Sequence, residues 1–199
     1  LKNRQDKKVA VIVNDMSEIN IDTSMIQNNV SLNHKEEKLV EISNGCICCT
    51  LREDLLIEVT KLAKAKAFDY LIIESTGISE PLPVAETFTF EGEDGVSLSD
   101  VATLDTMVTL VDAVNFLNDL DETKYLQEIG ETAGEEDERS VADLLVDQIE
   151  FANVILISKT DLVENPDLDK LTAILRTLNT DAKMIPISNE AVELNEILN

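Results

Sequence analysis

The sequence predicts an α/β fold, a mostly parallel sheet with helices on both faces. Three observations carry this. Apolar, β-branched runs recur along the chain, and each stops abruptly at polar residues. Stretches with helical periodicity separate them. The 199 residues, 44% of them hydrophobic, suit one domain with a sizeable core. No internal repeat, low-complexity linker or second domain is evident.

The first strand signal is KVAVIVND at 8–15, a continuous run of the kind buried on both faces of a parallel sheet. A shorter run, KLVEIS, covers 38–43. YLIIEST (70–76), TMVTLVDA (106–113), NVILISKTD (153–161) and KMIPIS (183–188) follow. Between them, residues 50–65 place Leu51, Leu55, Leu56, Val59 and Leu62 on one helical face behind Thr50 as N-cap. A proline-led short helix is expected at 81–90, and a Ser-capped helix at 140–152. A third is expected at 168–179 behind Pro166 and Asp167, and a last one at 189–198.

The formal charge is −24, from 40 acidic and 16 basic residues. Nucleic acid and anionic membranes need a basic footprint, so neither is an expected partner. The acidic runs EGEDG (91–95) and GEEDER (134–139) read as solvated loops. No apolar run approaches the ~20 residues of a membrane span. The polar start LKNRQDKK carries no secretory signal. Three clustered cysteines are not a disulfide framework, so the expected compartment is the reducing cytoplasm.

In a parallel α/β sheet, ligands bind at the carboxyl ends of the strands. The residues to weigh are therefore Asn14-Asp15, Glu74 to Gly77, Asp112, Ser158 to Asp161, and Ser188. LISKTDL (156–162) is an apolar strand followed by [N/S/T]-K-x-D. In guanine recognition the Asp161 carboxylate would accept hydrogen bonds from the base N1–H and exocyclic amine. Adenine presents the reverse pattern. The Lys159 stem would pack along the base, and Ser158 stands where Asn is usual. Ser188, in PIS after the next strand, would support the base from the opposite side. The bland alternative is an ordinary polar loop. In LIIESTGISEP (71–81), Glu74 and Gly77 match a D/E-x-x-G pattern. Its acid would sit near Mg²⁺, and its glycine amide could approach a γ-phosphate because no Cβ intervenes. The alternative is Glu74 as a capping or ion-paired acid.

All three cysteines fall in NGCICCT: Cys46, Cys48 and Cys49. A turn before a helix N-terminus favours thiolates. Thiolates are soft ligands suited to Zn²⁺. Three sulfurs leave one tetrahedral position for Asp15, Glu18, His34 or an exogenous donor. C-x-C and C-C lack the C-x-x-C spacing of thioredoxin-like redox pairs, which puts metal ahead of redox. Buried structural thiols are the other alternative. His34, in SLNHKEEK, reads first as a solvated loop residue.

Taken in order, VNDMSEINID, NGCICCTLREDL, IIESTGISEP, VTLVDAVNF, DQIEFANVILISKTDL and PIS resemble the CobW-type GTPases. These are metallochaperone relatives of the nickel-insertion GTPases. The resemblance spans nearly the whole chain and lies nearest the branch tied to zinc homeostasis in bacteria. It implies a P-loop NTPase domain with slow GTP hydrolysis coupled to delivery of a metal, usually zinc and sometimes cobalt, to a client metalloprotein. On this chain it implies Cys46, Cys48 and Cys49 as metal-binding cysteines. It implies Glu74 and Gly77 at the Mg²⁺ and γ-phosphate, and Ser158, Lys159 and Asp161 at the guanine of GTP or GDP. Asp15 and Glu18 fall in the switch-like segment as candidate ligands to Mg²⁺ or the transferred metal.

Two departures stand out. The six glycines, at 45, 77, 92, 95, 130 and 134, form no G-x-x-x-x-G-K-[ST]. The family's smaller C-terminal domain has no counterpart. The resemblance thus implies a partial domain over 1–199, without its first strand and P-loop, that turns over no GTP by itself.

Overall fold

The computed structural model describes residues 7–13, 38–41, 57, 59–64, 68–75, 80–89, 97–121, 140–188 and 192–198. Two compact units divide the chain, one of residues 1–77 and 86–103, the other of 78–85 and 104–199.

The first unit is built on β1 (Val9–Val13), β2 (Lys38–Glu41) and β3 (Tyr70–Glu74), in the order β2-β1-β3. All pairings are parallel; Ala10 lies opposite Lys38 and Leu71, and Val13 opposite Glu41 and Glu74. As the middle strand, β1 buries Val9, Ala10 and Ile12. This is what its β-branched run dictates. Its start is pinned, because the Lys8 amide donates to Asp69 Oδ2 at 2.8 Å while the Asp69 and Tyr70 amides donate to the Lys8 carbonyl. Residues 57 and 59–64 are helical, with Val59 and Leu62 buried, as the apolar periodicity requires.

Helix α1 (Pro81–Thr87) is short and proline-led, as expected. A single 3₁₀ turn at Leu98–Asp100 follows, closed by a capping box between Ser97 and Asp100. The Ser97 hydroxyl also donates to the Phe88 carbonyl at 2.9 Å, anchoring the turn to the end of α1.

The second unit holds β4 (Val108–Asp112), β5 (Val154–Ser158) and β6 (Lys183–Pro186), again all parallel, in the order β4-β5-β6. Helices α2 (Phe116–Asp121), α3 (Val141–Glu150) and α4 (Asn165–Leu178) accompany them. One face of β5 presents Ile155 and Ile157 to Val111, Phe116, Ile149, Leu171 and Leu175. The other presents Val154 and Leu156 to Ile187, with Ile185, Val192 and Ile197 alongside. The alternation of side chains in β5 thus buries both of its faces.

Three expectations change. The apolar runs of β3 and β4 suggested burial on both faces, yet Ile72 and Leu110 are exposed, Leu110 by 65%. Among the described residues, each of these is an outer strand of its three-stranded sheet. Helix α4 begins at Asn165, three residues before the periodic apolar stretch; Glu164 is the N-cap, and Pro166 occupies the first turn, where it sacrifices no hydrogen bond. The helix expected at 189–198 is, among the described residues, only a 3₁₀ turn at Leu194–Glu196 with no side-chain cap. Ile197 and Val192 pack instead on β5, and Lys183 pairs with Glu196. Tertiary burial there overrides a weak helical propensity.

Candidate functional site

Register brings the carboxyl ends of β4, β5 and β6 together: Asp112 is opposite Ser158, and Ile157 opposite Pro186. The loop that leaves β5 is stitched to both neighbours. On the β4 side, Ser158 Oγ donates to the Val111 carbonyl at 3.0 Å, and the Ala113 amide donates to the Ser158 carbonyl at 3.1 Å. On the β6 side, Thr160 Oγ1 donates to the Ile187 carbonyl at 3.1 Å, and the Ile187 amide donates to the Ile157 carbonyl at 2.8 Å.

Between these stitches Lys159 adopts φ 57 and ψ 30, the one non-glycine residue with positive φ among those described. A side chain in this left-handed region costs roughly 1–2 kcal/mol, and such strain collects at functional loops. The turn delivers Thr160–Leu162 as a 3₁₀ turn, closed by the Leu162 amide on the Lys159 carbonyl at 3.0 Å. Asp161 stands on this turn, exposed, and no described residue bonds its carboxylate. A loop braced from two sides thus presents an acceptor to solvent. Ser188 is exposed, directly after buried Ile187.

Asp112 closes the arrangement. The Lys159 ammonium donates to its Oδ2 at 2.7 Å, and Asn115 Nδ2 donates to the same oxygen at 2.9 Å. The Val114 amide donates to Oδ1 at 2.9 Å. Burial works to raise the Asp112 pKa, but the hydrogen bonds from Lys159, Val114 and Asn115 and the Lys159 charge outweigh it. The carboxyl is held below the ordinary aspartate value. Asp112 was legible as a strand end, but its partnership with Lys159, 47 residues away, was not.

Glu74 ends β3 and is exposed, level with Val13 of β1 and Glu41 of β2. Its partner in the motif, Gly77, lies outside the described residues, as do Asp15, Glu18, His34, Cys46, Cys48 and Cys49. Among the described residues no group of three or more His, Cys, Asp or Glu could hold a metal ion. No described helix is long and apolar enough to cross a membrane.

Parallel strands whose carboxyl ends gather the S-K-x-D loop form an α/β domain with that loop at the edge where such folds bind ligands. The family described as CobW/HypB/UreG, nucleotide-binding domain, matches residues 1–186, and the chain belongs to it. The whole chain is 50% identical, over 207 residues, to zinc-regulated GTPase metalloprotein activator 1 of Dictyostelium discoideum, and covers 44% of that protein. It is 28% identical, over 170 residues and 82% of its length, to the zinc chaperone CobW of a Sinorhizobium species, covering 46% of it. The chain thus spans less than half the length of either relative. Identity to the amoebal protein exceeds that to the bacterial one, although the motifs pointed first to the bacterial branch. The fold matches the Zn(II)-bound YjiA GTPase of E. coli with a TM-score of 0.56 and 21% identity, over 96% of this chain and 60% of that one. A Zn(II)-bound triple mutant of YjiA matches with a TM-score of 0.60 and 24% identity, over 98% of this chain and 54% of that one. The P-loop GTPase-like architecture of parallel sheets and helices is therefore established.

Proposed function

We propose that the protein carrying this chain is a GTP-dependent zinc chaperone, which binds the metal at Cys46, Cys48 and Cys49 and hands it to client metalloproteins in step with GTP hydrolysis. The observation that carries the nucleotide half is the braced Ser158–Asp161 loop. Two hydroxyls and one ammonium fix its backbone, which leaves the Asp161 carboxylate free to accept from N1–H and the exocyclic amine of guanine. Ser188 would close the base from the β6 side.

The metal is cargo in this reading. Thiolate softness favours zinc, with cobalt the alternative. Glu74 offers a hard, exposed carboxylate at a strand end, which suits Mg²⁺ with Gly77 nearby in sequence. When bound, Mg²⁺ would supply charge neutralisation at the phosphates. Asp15 and Glu18 are the further candidate ligands. In sequence the C-x-C-C segment lies between Asp15–Glu18 and Glu74–Gly77, so nucleotide state can alter thiolate geometry. A tenfold change in metal affinity needs only about 1.4 kcal/mol of coupling.

A second reading is a metal-binding module without turnover, since three clustered thiols can bind zinc without any nucleotide. One experiment separates the two. Zinc is titrated into the full-length protein saturated with a non-hydrolysable GTP analogue, and again with GDP. The chaperone reading expects different zinc dissociation constants; equal constants support the uncoupled module.

A further inference from the structure

We propose that Asp112 is a positioning residue for guanine recognition, holding Lys159 so that the loop presents Asp161 to the base edge. This rests on the base-site reading above and deepens it. Asp112 touches no base in this scheme; it acts through Lys159.

The geometry supports it from four directions. The Lys159–Asp112 contact is short, at 2.7 Å, and charge-assisted. Asp112 itself cannot swing, because the Val114 amide fixes Oδ1 and Asn115 shares Oδ2. The paired register of Asp112 with Ser158 sets both residues at the same level of the sheet. Lys159 holds a left-handed backbone, a conformation that persists only where surrounding contacts over-determine it. Asp112 supplies the contact to its side chain. With its ammonium tied back to β4, the Lys159 stem is confined to one path across the loop. A loop freed of that restraint would sample other backbone states, and the Asp161 carboxylate would lose its fixed direction.

The consequence is one of specificity. Inosine keeps N1–H but lacks the exocyclic amine of guanine, so the GDP-to-IDP affinity ratio reports how well Asp161 is aimed at that amine. Full-length wild type, Asp112→Asn, Lys159→Met and Asp161→Asn are titrated with GDP and IDP by calorimetry, with thermal midpoints recorded alongside. Asp112→Asn is expected to shrink the GDP-to-IDP ratio by about threefold, the scale of a partly exposed ion pair that also carries a charged hydrogen bond. Lys159→Met, which breaks the same pair from the other side, is expected to shrink it as well, and the double variant to add little. A merely structural role would lower both affinities equally and leave the ratio intact, which overturns the proposal. An Asp161→Asn ratio that collapses while the Asp112→Asn ratio stays at the wild-type value also overturns it, with the base site left standing. An Asp161→Asn ratio equal to wild type removes the base-site reading and the proposal together.

Discussion

The Lys159 ammonium lies 2.7 Å from Oδ2 of Asp112, joining the loop after β5 to the last residue of β4. The side chain of Lys159 is 51% exposed and that of Asp112 27%, so solvent screens the pair and its worth to stability is at most about 1 kcal/mol. Its value lies in where it places the loop.

The pair should be visible in acid. The folded-state pKa of Asp112 is lowered, so its contribution is fully present above the unfolded value of about 3.9 and is lost as pH falls through the folded value. The urea midpoint of the wild type should exceed that of Asp112→Asn at neutral pH, and the gap should close below about pH 4. A gap that widened on acidification would contradict the sign of the shift.

Asn179 should matter more to stability than its half-buried position suggests. Its Nδ2 donates to the carbonyls of Ile149 and Ala152 at 2.8 and 2.9 Å, and its Oδ1 accepts from the Ala182 amide at 2.8 Å. One amide thus joins the end of α3, the entry to β5 and the approach to β6. Asn179→Ala should cost about 1–3 kcal/mol, read by denaturant unfolding. Asn179→Asp should be no better, because a carboxylate facing carbonyls cannot donate.

Leu175 is fully buried between α4 and the sheet. Leu175→Ala should lose about 2–5 kcal/mol from transfer and cavity terms together. Ser140→Ala, which opens the capping box with Asp143 at the start of α3, should lose about 1 kcal/mol. Thermal unfolding of the two variants should rank them in that order.

What the sequence shows and what it hides divides along physical lines. The strands were legible because β-branched runs broken by polar residues have few other uses. The burial of β3 and β4 was not, because apolar composition does not say which strand is outermost: Leu110 is as apolar as Leu156 but faces solvent. Ser140 and Asp143 could be read locally, since a cap involves residues three apart. SLSD at 97–100 carries the same local signal, and Ser97 and Asp100 close a capping box there. The S-K-x-D loop was recognisable from four residues, but its brace was not. Asp112, Val111 and Ile187 come from other strands, and only register brings them to it.

Cysteine chemistry gives a separate expectation. Replacing Cys46, Cys48 and Cys49 by Ser one at a time should each weaken zinc binding about tenfold or more, since hydroxyls are poor soft-metal ligands. Competition against a zinc chelator checks this. Wild-type affinity in all three variants would remove the thiolate site from the account.

The central claim is that Asp161 reads guanine. Xanthine replaces the exocyclic amine with a carbonyl, which an amide complements by donating to that carbonyl and accepting from N1–H. Nucleotide binding by the full-length Asp161→Asn protein, compared for GDP and XDP, tests this most directly. The account predicts that GDP affinity falls about tenfold or more and that XDP becomes the preferred ligand. Retention of the wild-type preference for GDP over XDP would contradict it.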